Sequence, residues 1–262
     1  MPLVRAKVAG YPLTFLLDTG AFRSVLPYGF ARAHNLLQQA RATGDYTVDA
    51  FGKWVPMHLL SNVPVQFEGE QKAGALDFII NGSEIGLLAV QDIVRSGGAL
   101  VIDLEQGELT YEPEESALKR LRDDASAPLH QLDFSRCIHE GFFERNHRAV
   151  SASINGVPAK MLIDTGASRT VLARNNPALA SMLSVQGKRG ATVAVTSAGQ
   201  NLLVEDVSIV FSGTSFVLPV LVHPVSSRCW EGAIGADLLR QCTLVWGYGS
   251  LWAACRAQAK GR

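Results

Sequence analysis

The 262-residue chain carries little that ties a protein to metal, membrane or nucleic acid. Its four cysteines, Cys137, Cys229, Cys242 and Cys255, form no C-x-x-C pair. That excludes a zinc ribbon and a thioredoxin-like redox motif, and leaves one or two disulfides open. No local Cys-His arrangement suggests a thiol nucleophile. Six histidines are present, but none stands in H-E-x-x-H; His139-Glu140 with His147 is the nearest approach, so these read as surface or packing residues. Lys+Arg and Asp+Glu both number 24, giving a formal net charge of zero. A neutral chain offers no basic field to nucleic acid or to an anionic membrane surface. No apolar run is long enough to span a bilayer, and the N-terminus lacks a charged segment followed by an apolar signal core.

What the chain does have is a core and a repeat. With 47% hydrophobic residues it can fill one large domain or two modest ones. Trp54, Trp230, Trp246 and Trp252 read as core, although any one could line a pocket. Phe15-Leu16-Leu17-Asp18-Thr19-Gly20-Ala21 is written again as Met161-Leu162-Ile163-Asp164-Thr165-Gly166-Ala167, at an offset of 164 − 18 = 146. Upstream, Ala6 to Pro12 answers Ala152 to Pro158; downstream, Arg23, Val25 and Leu26 answer Arg169, Val171 and Leu172. Self-similarity over so long a period marks a duplicated domain.

Each copy opens as a strand, a tight turn at Gly-x-Pro and a buried strand ending at the aspartate. A short helical piece follows, opened by Pro27 with Phe30, Ala31 and Leu36 on its face, or preceded by Pro177 with Leu179, Ala180 and Leu183. Tyr46 to Gly52 and Thr192 to Gly199 then read as hairpins. Late in each copy an apolar run meets an aspartate and a short helix, at Leu88 to Val94 and Ala233 to Leu239, with an offset here of 237 − 92 = 145. Two strands close each copy, at 100–104 and 108–111, then at 243–246 and 250–253.

The chemistry lies in the two carboxylates. A charge at the end of an apolar strand is costly unless it has a task, and two carboxylates sharing a site cannot both ionise, so a pair of such sites points to acid and base chemistry. Between the copies, Glu112 to Ser116 and Lys119 to Pro128 are charged and proline-bearing, which reads as a solvated connector with a single helical turn. The expected division is a lobe at 1–113, a charged linker at 114–128 and a second lobe at 129–262. Residues 129–148 have no counterpart before the first copy. The expectation is therefore that the natural chain runs further upstream, through an export signal, which favours an exported or periplasmic origin over a cytoplasmic one.

These residues resemble the aspartic proteases of the pepsin and retropepsin type. Two elements carry the resemblance: apolar-apolar-Asp-Thr-Gly-Ala followed by a Ser or Thr and Val-Leu, seen as Leu16 to Leu26 and Leu162 to Leu172, and a later apolar-apolar-Gly before a short helix, seen as Ala233-Ile234-Gly235. Alanine after Gly20 and Gly166 is similar to retropepsins, which are homodimers of one lobe, whereas two lobes in one chain is the pepsin arrangement. The resemblance covers all but the connector and the last few residues. It implies an all-β, two-lobed acid-protease fold, each lobe a closed β-barrel-like sheet with one or two short helices, related by an internal pseudo-twofold axis. One departure stands out: at the offset of 145, Val90 occupies the place of Gly235, and Gly86 lies too early to serve.

By the same resemblance, Asp18 and Asp164 are the catalytic pair of an aspartic endopeptidase, activating a water with no metal and no cofactor. Thr19 and Thr165 would bond to the opposite loop's backbone, Gly20 and Gly166 would allow close approach, and Ala21 and Ala167 withhold the hydroxyl that serine offers the ionised carboxylate. The pair should then keep its proton to higher pH, with an optimum only mildly acidic. Asp49, Ala50, Phe51 and Gly52, and Thr196, Ser197, Ala198 and Gly199, are the expected substrate-binding flaps; Tyr46 is the nearest flap tyrosine. Ion pairs Arg23–Asp92 and Arg169–Asp237 are expected beneath the site. The expected partner is a peptide or protein substrate, with no nucleic acid and no membrane span, and the chain is read as a monomer with intramolecular lobe pairing. Two other readings stay open: a catalytically silent peptide-binding or scaffolding module on the same fold, and a protease domain of a larger exported protein with one dedicated target.

Overall fold

A computed structural model describes residues 2–48, 54–69, 71–124, 127–137, 147–179, 182, 192–196, 199–223 and 229–256. Among the described residues the period-two alternation is realised as strands, with only short helices. Contacts divide the chain into two units, one running to Ile93 and one built from Val94–Cys137 and from His147 onward.

The first unit holds β1 (Leu3–Val8), β2 (Tyr11–Asp18), β3 (Val25–Pro27), β4 (Arg41–Val48), β5 (Trp54–Phe67), β6 (Gly74–Asn81) and β7 (Gly86–Ala89), with helices α1 (Tyr28–Ala33) and α2 (Val90–Ile93). The order β1-β2-β7-β3-β6-β5 closes on itself because β1 also pairs with β5, and β4 adds to the far side of β5. Closure removes the free edges and turns one face of every strand inward. Phe15 and Phe78 stack there at 5.8 Å among Leu17, Leu26, Ile80 and Leu88, all fully buried. Each such side chain contributes about 1.5–3 kcal/mol. The turn expected at Gly10-Tyr11-Pro12 falls earlier, at Ala9-Gly10, with φ of 49° and 88°, the paired left-handed geometry that a two-residue hairpin requires, while Tyr11 and Pro12 already pair with Val8 and Lys7 in the ladder.

The second unit contains β8 (Gly98–Asp103), β9 (Glu108–Pro113), α3 (Glu114–Asp123), β10 (Leu129–Gln131), β11 (Phe134–Cys137), β12 (His147–Ile154), β13 (Val157–Ile163), β14 (Val171–Ala173), β15 (Thr192–Thr196), β16 (Gly199–Phe211), β17 (Thr214–His223), β18 (Gly232–Ile234), α4 (Ala236–Leu239), β19 (Cys242–Gly247) and β20 (Leu251–Cys255). The ring β12-β13-β18-β14-β17-β16 closes through β12–β16, strand for strand the plan of the first barrel. Its hairpin turn, Asn155-Gly156, has the same geometry at φ of 48° and 83°. The chain is thus all-β, with two closed six-stranded barrels and few short helices, consistent with the two-lobed acid-protease fold.

A third sheet, β10-β20-β19-β8-β9, also belongs to the second unit, so the two strands that close the first copy in sequence pair with strands of the second. Cys242 faces Cys255 across β19–β20 and is disulfide-bonded to it. A native bridge of this kind contributes about 2–4 kcal/mol. Cys229 is disulfide-bonded too. Arg148, buried, donates to the carbonyls of Gly247, Tyr248 and Ser250 and lies over the rings of Phe134 and Trp246, fastening the β19–β20 turn to β12.

The connector differs from its reading. Glu114–Asp123 is a ten-residue helix, and Ala117 and Leu121 pack one turn apart against Ala99, Val101 and Val245. Charge dominates its composition, yet a stripe of three apolar residues, Ala117, Leu118 and Leu121, is enough to dock one face. Glu114 and Glu115 in the first turn, with Arg120 and Arg122 in the last, oppose the helix dipole favourably. Among the described residues, no helix is long and apolar enough to cross a membrane.

Candidate active site

Each aspartate stands where a central strand runs out of partners. β2 pairs in parallel with β7, Leu17 opposite Leu88 and Asp18 opposite Ala89; β13 pairs likewise with β18, Ile163 opposite Ile234. The residues just before each carboxylate, Leu17 and Ile163, are fully buried, so the strand cannot slip without exposing them. Beyond the ladder the backbone turns, and its freed N–H groups point back at the carboxylate. Asp18 Oδ1 accepts from Gly20 N at 2.8 Å and Ala21 N at 2.9 Å. Asp164 Oδ1 accepts from Gly166 N and Ala167 N, both at 2.9 Å. Two such bonds fix the carboxylate plane. Thr19 and Thr165 are buried, while both aspartates, both glycines and both alanines are partly exposed. Asp18 belongs to the first unit and Asp164 to the second.

Beneath each loop sits the Ser or Thr hydroxyl of the motif, to which the sequence assigned no role. Ser24 Oγ accepts from Ala89 N at 3.0 Å, and Thr170 Oγ1 accepts from Gly235 N at 3.1 Å. Both are fully buried, and they recur at the offset of 146, which was the available signal. This equivalence corrects the alignment of Val90 with Gly235. Ala89 is the residue opposite Asp18, so it holds the place of Gly235, and Val90 is the first, buried residue of α2. The recurrent glycine is Gly86, which faces Phe15 as Gly232 faces Met161. A Cβ on Gly232 would lie 2.5 Å from the Val171 carbonyl oxygen, and one on Gly86 2.9 Å from the Phe15 ring.

The shift explains the acidic partners. Asp92 follows Ala89 by three residues, whereas Asp237 follows Gly235 by two. Asp92 reaches Arg23, 3.3 Å from its guanidinium, and accepts from Ser24 N at 2.7 Å, so the expected Arg23–Asp92 pair is present. Burial pushes the Asp92 carboxyl above its ordinary value, against the opposing pull of the Ser24 bonds and the Arg23 charge. The expected Arg169–Asp237 pair does not form. One residue earlier in its helix, Asp237 turns instead to Thr170, taking its N–H at 2.8 Å and its hydroxyl at 2.8 Å, and to Leu238 N at 2.9 Å.

Of the expected flaps, Thr196 and Gly199 face each other where β15 and β16 meet, while Asp49, Ala50, Phe51, Gly52, Ser197 and Ala198 lie outside the described residues. On the first unit Val48 pairs with Trp54 and Tyr46 with Pro56, and Tyr46 is largely exposed.

Residues 150–236 match the family model for aspartyl protease. The match starts in β12, passes through the Asp164 loop and ends at the first residue of α4, so it lies within the second copy. It supports an aspartyl protease family and, in general terms, a protease function. No curated protein matches the chain.

Proposed function

We propose that the chain is an aspartic endopeptidase working as a single-chain pseudodimer, with Asp18 and Asp164 as one dyad. The observation that carries this is the identical construction of the two loops: in each, one carboxylate oxygen is held by two backbone N–H groups at 2.8–2.9 Å at the end of a buried strand. The aspartyl protease match over the second copy supports the same reading, and the repeat extends it to the first.

In this mechanism the dyad shares one proton and titrates as a pair. The ionised carboxylate takes a proton from a water held between the two, and that water attacks the scissile carbonyl. The protonated partner stabilises the developing oxygen, and a proton then passes to the leaving nitrogen. Thr19 and Thr165 hold the two loops in register through the opposite backbone. The peptide lies extended, pairing with the β4–β5 and β15–β16 hairpins, whose closure excludes water. Since Ala21 and Ala167 give the dyad no hydroxyl, the optimum is only mildly acidic.

The test is cleavage of a mixed peptide library across pH by the wild type beside Asp18→Ala and Asp164→Ala. Cleavage lost in both variants is the expected outcome. Wild-type protein that cleaves nothing the variants spare overturns the enzyme reading in favour of a silent peptide-binding module, and an optimum well below about pH 4 overturns the dyad electrostatics.

A further inference from the structure

The two aspartate loops are alike on the side that faces the carboxylate and unlike on the side that faces the following helix. In the second copy the Ala167 carbonyl is held by backbone: Ala236 N, at the start of α4, donates to it at 2.8 Å. In the first copy the equivalent amide is that of Val90, and no such bond joins it to Ala21. The Ala21 carbonyl is held instead by the side-chain amide of Gln91, whose Nε2 donates to it. At the offset of 146, Gln91 stands where the second copy has Asp237, a carboxylate that could not donate to a carbonyl and that turns to Thr170.

The helix α2 therefore divides its work by position. Val90 packs into the core, Asp92 binds Ser24 N and Arg23, and Gln91, half-buried between them, reaches the loop. Ala21 is held from both directions. Its N–H donates to Asp18 Oδ1 and its carbonyl accepts from Gln91, so a movement of that carbonyl carries the Asp18 carboxylate with it.

We propose that Gln91 is a positioning residue that fixes the Asp18 loop through the Ala21 carbonyl, a task the backbone performs in the second copy. The proposal rests on the reading of Asp18 as half of the dyad. It makes the first loop the one whose Ala21 carbonyl is held by a replaceable side chain and not by backbone.

The test compares wild type, Asp18→Ala, Gln91→Met and Gln91→Glu, using peptide cleavage and amide hydrogen exchange on the same samples. Methionine keeps the length and removes the donor. It should lower kcat about tenfold while KM stays within about twofold, since one positioning bond is lost and substrate contacts are kept. Exchange should quicken at Gly20 and Ala21 and stay unchanged at Gly166 and Ala167. Gln91→Glu sets a carboxylate against the Ala21 carbonyl when ionised and donates to it when protonated, so its activity relative to Gln91→Met should rise as pH falls. Wild-type kcat, pH profile and exchange in Gln91→Met overturn the proposal, and so does equal loosening of both loops, which marks general destabilisation. If the wild type cleaves nothing, the protease reading fails alone, and exchange at Gly20 and Ala21 still decides the role of Gln91.

Discussion

The amide of Ala89 donates to the Ser24 hydroxyl at 3.0 Å, tying the strand that runs beside Asp18 to the stretch that follows its loop. Both groups are fully buried, so removing the acceptor strands a donor away from water. Ser24→Ala should cost about 1–3 kcal/mol, the range for a buried group left unpaired. Thr170→Val should cost a comparable amount, because each hydroxyl accepts from a buried amide and also bonds the aspartate of the following helix, Asp237 for Thr170 and Asp92 for Ser24. Urea unfolding midpoints check both values, and midpoints equal to the wild type's would refute the role given to these hydroxyls.

Gly235 and Ala89 occupy equivalent places with unequal room. A Cβ on Gly235 would lie 2.3 Å from the Arg169 carbonyl carbon and 2.8 Å from Thr170 N, both backbone atoms that cannot swing aside. Gly235→Ala should therefore destabilise by at least about 2 kcal/mol through overpacking. Ala89→Gly should cost only about 1 kcal/mol, for one buried methyl and added chain freedom. Thermal unfolding of the two variants checks the asymmetry.

Asp92 gives the fold a pH dependence of defined sign. Its carboxyl is held above the ordinary value by burial, so between that value and the native one the folded state binds more protons than the unfolded state. Stability then falls as pH rises from about 3.9, the ordinary aspartate value, through the native pKa, and is level above it. Asp92→Asn keeps an acceptor for Ser24 N and carries no charge. The stability of wild type minus that of Asp92→Asn should decline with rising pH across this window. A difference that grows with pH would mean that the Arg23 pair outweighs burial.

The aspartate loops and their leading hairpins were legible because each depends on residues adjacent in sequence: Asp18, Gly20 and Ala21 bond within four positions, and the hairpin was found, though its turn is Ala9-Gly10 and Pro12, read as part of it, pairs with Lys7 in the ladder. The supports behind the loops were legible only in part. Arg23–Asp92 followed from the chemistry of its partners, but Arg169–Asp237 failed because an aspartate placed one residue earlier in a helix meets a different neighbour. Reading Val90 against Gly235 was an error of the same residue: the carboxylates set an offset of 145, while the ladder under them keeps 146. The joining of β8 and β9 with β19 and β20 depends on contacts more than a hundred residues apart, to which local periodicity is blind. In α3, charge counted by composition hid a stripe counted by position.

The central claim is that two loops, one from each copy, make one site. Titration calorimetry of a statine-type inhibitor against the intact chain tests it most directly, since the statine hydroxyl takes the place of the attacked carbonyl's oxygen and needs both carboxylates. The account predicts one inhibitor bound per chain, with binding lost in Asp18→Ala and in Asp164→Ala alike. Two inhibitors per chain, one per two chains, or full binding in either variant would contradict it.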